Sequence, residues 1–115
     1  MKKIIIVLAF IASIFTISCE SNTYSEISVV TNPTYRDNIG PLFESKCASC
    51  HKNDAQYPNL QNYEQVKDGI VNGAVICLIE NPGDCFYSDY MPPTGRMPQS
   101  TIDMVKLWRD QGFVN

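Results

Sequence analysis

Histidine is almost absent from this chain, which has 115 residues and a single histidine, His51. A structural zinc site takes four cysteine or histidine ligands, so such a site here would depend on the five cysteines. Basic side chains are also few, nine against twelve acidic ones, and this acidic balance disfavours nucleic acid as a partner. The chain also lacks internal repeats and low-complexity tracts, which predicts one small domain.

Long apolar runs are limited to residues 4–17, near the N-terminus. This run is shorter than the roughly 20 residues that a membrane-spanning helix needs. It follows Met1-Lys2-Lys3 and gives way to small and polar residues at 18–20, which is the three-part layout of an export signal. We therefore predict that residues 1–18 form a signal peptide, which is removed when the protein is exported.

The end of this signal resembles that of a bacterial lipoprotein, in which the cysteine after the cleavage point is lipidated and becomes the mature N-terminus. Cys19 occupies that position, although Thr16 stands where leucine is commoner. The resemblance implies a lipid anchor at Cys19 and a location on the periplasmic or cell-surface face of a bacterial membrane. Plain secretion is the alternative interpretation.

Removal of residues 1–18 leaves 97 residues with seven basic and twelve acidic side chains, a net charge of −5. We predict that the polar residues 19–33 act as a flexible tether and that residues 34–115 form the domain. A domain of this size buries only a modest core, and such domains commonly depend on a crosslink or a cofactor.

The string CASCH at residues 47–51 has the Cys-x-x-Cys-His pattern of covalent c-type haem attachment. Two thiols on one turn can each add across a haem vinyl group, and the imidazole that follows can ligate the iron. We therefore predict one haem c, bound covalently by Cys47 and Cys50, with His51 as an axial ligand. Leu60 is the single aliphatic side chain of the loop that follows, and we expect it to pack on the haem.

The CASCH string has two other interpretations, a redox dithiol and a structural zinc site. A Cys-x-x-Cys pair can be a redox dithiol, but the surrounding sequence does not alternate strands and helices as that scaffold requires. A structural zinc site would need further ligands, which Cys77 and Cys85 could supply. Haem attachment is favoured because the histidine directly follows the second cysteine.

Two cysteines have no role in the lipid or haem assignments. With Cys19 assigned to lipid and with Cys47 and Cys50 assigned to haem, Cys77 and Cys85 are left over. An even remainder in an exported protein predicts a disulfide. Two buried free thiols are the alternative.

Helical periodicity precedes the CASCH string, but a proline complicates the start of this helix. Pro41 either lies in the first turn of a helix that begins near Asn38 or kinks a longer helix that begins at Thr34. The sequence does not decide between these two starts.

Two further helices are predicted in the second half of the domain. Asn62 can cap one of them, and the apolar run 74–79 that follows is compatible with either helix or extended structure. Residues 81–84 predict a tight turn. The last helix is predicted to run from Ser100, as its cap, to Gly112, as its terminator.

The second axial ligand of the iron decides between electron transfer and chemistry on a bound small molecule. Met1 is lost with the signal, and Met104 lies on the apolar face of the last helix, which leaves Met91 and Met97. Met91 is favoured because two prolines follow it and stiffen the backbone, which lowers the entropy lost in holding a weak ligand. Met97 is the second candidate, and packing alone is the alternative for both.

Together, three strings give the chain from Thr34 to Asn115 a resemblance to the class I cytochromes c. CASCH is followed by MPPTG and then by WRDQG in a closing helix, as in the short bacterial members. The resemblance implies an all-α fold, a small cytochrome c-like domain with three to four helices wrapped around a covalent haem. It also implies that His51 is the proximal ligand of the iron and Met91 the distal one.

The resemblance further assigns Phe43 and Trp108 to packing. Phe43 matches the aromatic residue that packs the first helix against the last, where Trp108 would meet it, and either ring could also contact the haem. The chain departs from the family in having Ile39 where a crossing glycine is expected, with Gly40 one place later. Pro98 replaces the usual serine cap of the last helix, and the loop between the last two cysteines is extra.

These features predict a membrane-tethered, mono-haem electron carrier that is not an enzyme, because an iron with two axial ligands has no place for a substrate. Its partners would be a redox donor and a redox acceptor, and the sequence leaves their identity and the oligomeric state open. Two alternatives are a haem sensor or peroxidase-like module in which Met91 is displaced, and a relay subunit of a larger oxidoreductase. The lack of a second histidine or an acid-base pair in the distal loop disfavours the peroxidase.

Overall fold

The structure, a computed structural model, describes residues 29–115. All regular elements in this part of the chain are helical and none is a strand, so the prediction of the all-α class is confirmed. The α-helices are α1 (Gly40–Lys46), α2 (Tyr63–Val71), α3 (Val75–Glu80) and α4 (Gln99–Asp110). A π-helical turn, Tyr35–Ile39, precedes α1 without a break, and a 3₁₀ turn, Pro82–Cys85, follows α3.

The predicted signal peptide (1–18), the predicted lipidation site Cys19 and most of the predicted tether (19–33) lie outside the described residues. The end of that tether is described, and it packs on the domain. Pro33 is buried, and the carbonyl of Thr31 accepts a hydrogen bond of 2.9 Å from the Gln111 side chain. Within residues 29–115, no helix has both the length and the apolar character needed to span a membrane.

The start of the first helical segment explains how Pro41 is accommodated. Thr34 caps the segment with its hydroxyl, and the N–H groups of Ile39 and Gly40 bond to the carbonyls of Thr34 and Tyr35, five residues earlier. Proline has no N–H and clashes with the carbonyl four residues before it, so a regular α-helix cannot continue through Pro41 unchanged. The segment therefore begins directly after Thr34, and the wider π-helical turn leads into the proline.

Helices α2 and α3 approach each other closely at a glycine. Asn62 caps α2 as predicted, since its side-chain oxygen accepts a hydrogen bond of 3.0 Å from the N–H of Gln65. The apolar run after α2 is helical and forms α3. A Cβ atom at Gly69 would stand 3.1 Å from side-chain atoms of both Leu60 and Val75, so the missing side chain lets these segments pack together.

The cap of the last helix lies two residues before the predicted one. Gln99 is its first residue and Pro98 occupies the cap position, with a carbonyl that accepts a hydrogen bond of 3.0 Å from the N–H of Thr101. The prediction that Ser100 is the cap is therefore wrong, because the backbone of Pro98 already starts the helical hydrogen bonds. Gly112 follows the helix with φ of +84°, a left-handed conformation that suits glycine, and ends it as predicted.

One hydrophobic core joins all four helices. Helix α4 contributes Ile102, Val105 and Trp108, each fully buried, while Met104 is half-buried at the edge of this face. The other buried core residues are Ile39, Phe43, Leu60, Val66, Ile70, Val75, Ile79 and Met97. Each of the four α-helices therefore gives at least one side chain to the same core, which positions the loops between them.

The C-terminal residues fold back and connect the first, second and last helical segments. The carbonyl of Val114 accepts hydrogen bonds from the N–H of Tyr35 (2.8 Å) and from the indole N–H of Trp108 (2.7 Å). The hydroxyl of Tyr63 donates to the carbonyl of Phe113 at 2.8 Å. The ring centroid of Trp108 lies 6.0 Å from those of Tyr35 and Tyr63 and 4.9 Å from that of Phe113.

Candidate functional site

The CASCH residues lie on one turn at the end of α1. The N–H of Cys47 bonds to the carbonyl of Phe43 at 2.8 Å, which continues the helical pattern by one residue. The N–H groups of Cys50 and His51 then both bond to the carbonyl of Cys47, at 3.1 and 2.9 Å. Because one carbonyl binds both residues, the two thiols and the imidazole are positioned by a single turn.

A carbonyl of the following loop orients the ring of His51. The Nδ1 atom of His51 lies 2.9 Å from the carbonyl oxygen of Pro58, and the N–H of Leu60 bonds to the carbonyl of His51 at 2.8 Å. A carbonyl can only accept, so Nδ1 carries the proton and donates it. The lone pair of neutral His51 is therefore on Nε2, which is the form of imidazole that binds a metal.

The CASCH turn borders a mainly apolar cleft. The empty space in it is about 570 Å³, including open solvent at its mouth. The CASCH turn and the loop after it line the cleft with Cys47, Cys50, His51, Gln56, Pro58 and Leu60. Helix α3 and the loop before α4 line it with Val75, Leu78, Ile79, Met91, Pro92 and Pro93. The cleft is thus built from segments far apart in sequence.

The structure places the two candidate methionines differently. Met91 lines the cleft and is half-buried, and its N–H donates to the carbonyl of Leu78 on α3 at 3.0 Å. Met97 is 7% exposed and belongs to the hydrophobic core with the buried residues of α4. The cleft therefore brings Met91 together with His51, whereas Met97 serves the packing of the core.

The four described cysteines fall into two pairs. Cys77 and Cys85 are joined in a disulfide with a Cα–Cα distance of 6.1 Å. Cys47 and Cys50 are free thiols, and burial raises the pKa of Cys47 to about 11. Because the sulfurs of Cys77 and Cys85 are bonded to each other, they are not thiolate ligands for a zinc ion. Within residues 29–115, no cluster of three or more histidine, cysteine or acidic side chains is arranged to hold a metal ion.

Of the three predicted packing residues, one reaches the cleft. Leu60 lines the cleft and is also part of the core. Phe43 and Trp108 are buried in the core, where the rings beside Trp108 are those of Tyr35, Tyr63 and Phe113. Both residues therefore support the site through the core, and Leu60 contributes directly to the surface of the cleft.

Sequence reasoning missed the residues of α3 and the carbonyl of Pro58. Val75, Leu78 and Ile79 all line the cleft, and their spacing of three and four residues is that of one helical face. The run 74–79 is apolar throughout, so the sequence does not show which of its residues form that face. The carbonyl of Pro58 carries no sequence signal, because any residue in that place has one.

The chemistry of these residues fits a c-type haem. Two free thiols and an oriented imidazole occupy one turn, a thioether lies in the same cleft, and apolar side chains form most of the remaining surface. No titratable side chain other than Lys46, the two cysteines and His51 is among the residues that line the cleft. Cys47, Cys50, His51 and Met91 would hold the group.

Comparison with known proteins gave no match: no family model matches the chain, and neither the curated proteins nor the solved structures contain a significant relative.

Proposed function

We propose that this chain is a one-electron carrier that binds a single haem c through Cys47 and Cys50. In this proposal His51 is the proximal ligand and Met91 the distal ligand of the iron. The observation that supports it best is that these four side chains line one cleft although Met91 is far from the others in sequence. The haem, when bound, supplies the one-electron couple.

The side chains around the cleft suit this role in three ways. The Pro58 carbonyl holds the imidazole of His51 in one orientation and leaves Nε2 as the ligating atom. The surface that includes Leu60 and Leu78 is mainly apolar, which suits the apolar faces of a haem. The Leu78 carbonyl holds the backbone of Met91, so a weak thioether ligand loses little entropy on binding.

With a residue of the chain at each axial position, no coordination site is left for a substrate. We therefore propose a carrier that is not an enzyme and that exchanges electrons with donor and acceptor proteins. Its disulfide supports a location outside the cytoplasm, where such bonds persist. The N-terminal sequence adds a lipid anchor at Cys19, which would hold the carrier at a membrane surface.

Carbon monoxide binding tests the ligand assignment. In the reduced holoprotein we expect no carbon monoxide spectrum, because Met91 occupies the distal position. Met91→Leu should bind carbon monoxide readily, whereas Met97→Leu, the matched substitution in the core, should behave as the unmodified protein does. Both substitutions keep a similar side-chain volume, so the fold should be retained.

Ready carbon monoxide binding by the unmodified reduced protein would contradict the carrier and favour the sensor. Binding only after the Met97→Leu change would transfer the ligand role to Met97. Visible absorption spectra, recorded before and after gas addition, distinguish these results within one experiment.

A further inference from the structure

The segment between the disulfide and Met91 exposes three aromatic rings in five residues. Phe86 is 100% exposed, Tyr87 is 56% exposed and Tyr90 is 38% exposed. Phe86 also has φ of +66°, which is an outlying conformation for a bulky residue. Large apolar side chains that cluster at the surface mark interaction sites. Their exposed area is not buried by folding, but a partner can bury it. We call residues 86–90 the aromatic loop.

The aromatic loop is anchored at both ends. At its start, Cys85 is bonded to Cys77 of α3, and the N–H of Tyr87 donates to the carbonyl of the buried Pro82 at 3.0 Å. At its end, the next residue is Met91, whose N–H donates to Leu78 of α3. The rings are therefore presented from a tethered segment, which reduces the entropy that a partner must overcome on binding.

Two acidic residues lie close to these rings in sequence. Asp84 and Asp89 are exposed, and residues 81–91 contain no lysine, arginine or histidine. The ion pairs among the described residues join Lys106 to Glu80 and Arg109 to Asp110, so neither Asp84 nor Asp89 is paired with a cation there. Aromatic faces also attract cations, arginine most of all.

We propose that the aromatic loop, with Asp84 and Asp89, is a docking surface for a partner protein that presents arginine or lysine side chains around an apolar contact. This inference rests on the proposed electron transfer, because Tyr90 directly precedes Met91 and a protein docked there would lie beside the cleft. Tyrosine and arginine are the residues that dominate binding at protein interfaces. An anionic membrane fits this surface poorly, since two carboxylates without a cation are repelled by it.

A titration with a hexa-arginine peptide, a minimal cationic surface, tests the proposal. The reduced, ¹⁵N-labelled holoprotein is followed by amide chemical shifts. We expect saturable shifts concentrated at residues 84–90. Phe86→Ser/Tyr87→Ser and Asp84→Asn/Asp89→Asn should each weaken binding roughly three- to ten-fold.

Two control variants make the test specific. Glu44→Gln/Glu64→Gln also removes two negative charges, but from exposed residues outside the aromatic loop. Tyr57→Ser removes an aromatic ring that is 85% exposed and also lies outside the loop. Both should bind the peptide as the unmodified protein does, within a factor of about two at equal salt. The proposal would be overturned if the control variants weakened peptide binding equally. It would also be overturned if the chemical-shift changes were spread over all acidic residues.

Other occupants of the aromatic loop give different results. Phe86-dependent binding to vesicles of phosphatidylglycerol and phosphatidylethanolamine would assign it to the membrane and overturn the proposal. Dimerisation that is abolished by Phe86→Ser would show that the aromatic loop binds a second copy of the chain. That result would also overturn the proposal. The carbon monoxide experiment does not involve the loop, so failure of docking and failure of the proposed ligation are separate results.

Discussion

At the scale of single residues, the two ring nitrogens of His51 have different environments, and this difference determines what the residue can do. Nδ1 is occupied by the Pro58 carbonyl at 2.9 Å, so Nε2 is the nitrogen left for a metal. The CASCH string alone does not determine which nitrogen is free. The loop that follows it does, because it returns Pro58 to the imidazole.

The two methionines show the same dependence on surroundings. Met91 and Met97 have identical side chains, but one lines the cleft and the other is 7% exposed in the core. The sequence favours Met91 because two prolines follow it and because the expected disulfide holds the loop before it. The structure adds a physical reason, since the Leu78 carbonyl holds the Met91 backbone at the edge of the cleft.

The thiols of Cys47 and Cys50 give the prediction at this scale. The proposed attachment predicts one haem that survives acid-acetone extraction, because two thioether bonds would hold it. Cys47→Ser/Cys50→Ser should lose this covalent haem completely. Mass spectrometry of the extracted chain measures the attachment directly.

A matched pair of cysteines supplies the control for this experiment. Cys77→Ser/Cys85→Ser also removes two cysteines, but these are joined to each other and do not line the cleft. This variant should keep its covalent haem. Retention of covalent haem by Cys47→Ser/Cys50→Ser would contradict the attachment site.

At the scale of elements, helix α3 connects the cleft to the Met91 loop and to the disulfide. It lines the cleft through Val75, Leu78 and Ile79, and it binds the Met91 backbone through the Leu78 carbonyl. It also carries Cys77, which crosslinks it to the 3₁₀ turn. A displacement of α3 would therefore change the cleft, the Met91 loop and the disulfide together.

Gly73, between α2 and α3, gives the prediction at this scale. A Cβ atom there would stand 2.6 Å from the backbone carbonyl oxygen of Gly69, which is closer than such atoms approach. We expect Gly73→Ala to lower the free energy of unfolding by about 1–3 kcal/mol, because α3 must shift to relieve the clash. Urea unfolding of the holoprotein, followed by circular dichroism, measures this change.

The same substitution at Gly83 serves as the control. There the nearest atom to an added Cβ, the side-chain oxygen of Asn81, is 3.6 Å away, an ordinary contact. Gly83→Ala should change stability by no more than about 1 kcal/mol, and a small gain is expected because alanine restricts the unfolded chain. Equal effects at the two glycines would show that the turn between α2 and α3 adjusts freely.

At the scale of the whole molecule, local patterns predicted the elements better than their arrangement. Asn62 as a cap and Gly112 as a terminator could be inferred from short stretches of sequence, whereas the all-α class followed from the family resemblance. The cap of α4 could not, because Ser100 and the backbone of Pro98 were both able to start the helix. The apolar run of α3 was ambiguous, since it lacks the polar residues that reveal a period.

Long-range contacts account for most of what the sequence did not reveal. The hydroxyl of Tyr63 reaches the carbonyl of Phe113, fifty residues later, and Val114 binds both Tyr35 and Trp108. The acceptors are backbone carbonyls, which every residue has, so no pattern indicates them. The proximity of the CASCH turn and Met91 likewise depends on the packing of α3, and from the sequence it is expected only through the argument for Met91 as a ligand and through the family resemblance.

The disulfide gives the prediction for the whole molecule. It closes a loop between residues eight positions apart, and the loss of this crosslink should lower stability by about 2–3 kcal/mol through the greater freedom of the unfolded chain. That is a large fraction of the net stability of a small domain, which is about 5–15 kcal/mol. Urea unfolding of the Cys77→Ser/Cys85→Ser holoprotein, beside the unmodified protein with and without a dithiol reductant, measures it.

The reduced protein and the double variant should unfold at the same urea concentration, below that of the oxidised protein, because both lack the same bond. The reductant should leave the double variant unchanged, which separates the disulfide from any effect on the haem. Coincident unfolding curves for all three forms would show that α3 and the 3₁₀ turn stay together through their packing alone. In that case the buried Pro82 and Ile79, and not the crosslink, would fix the position of the Met91 loop.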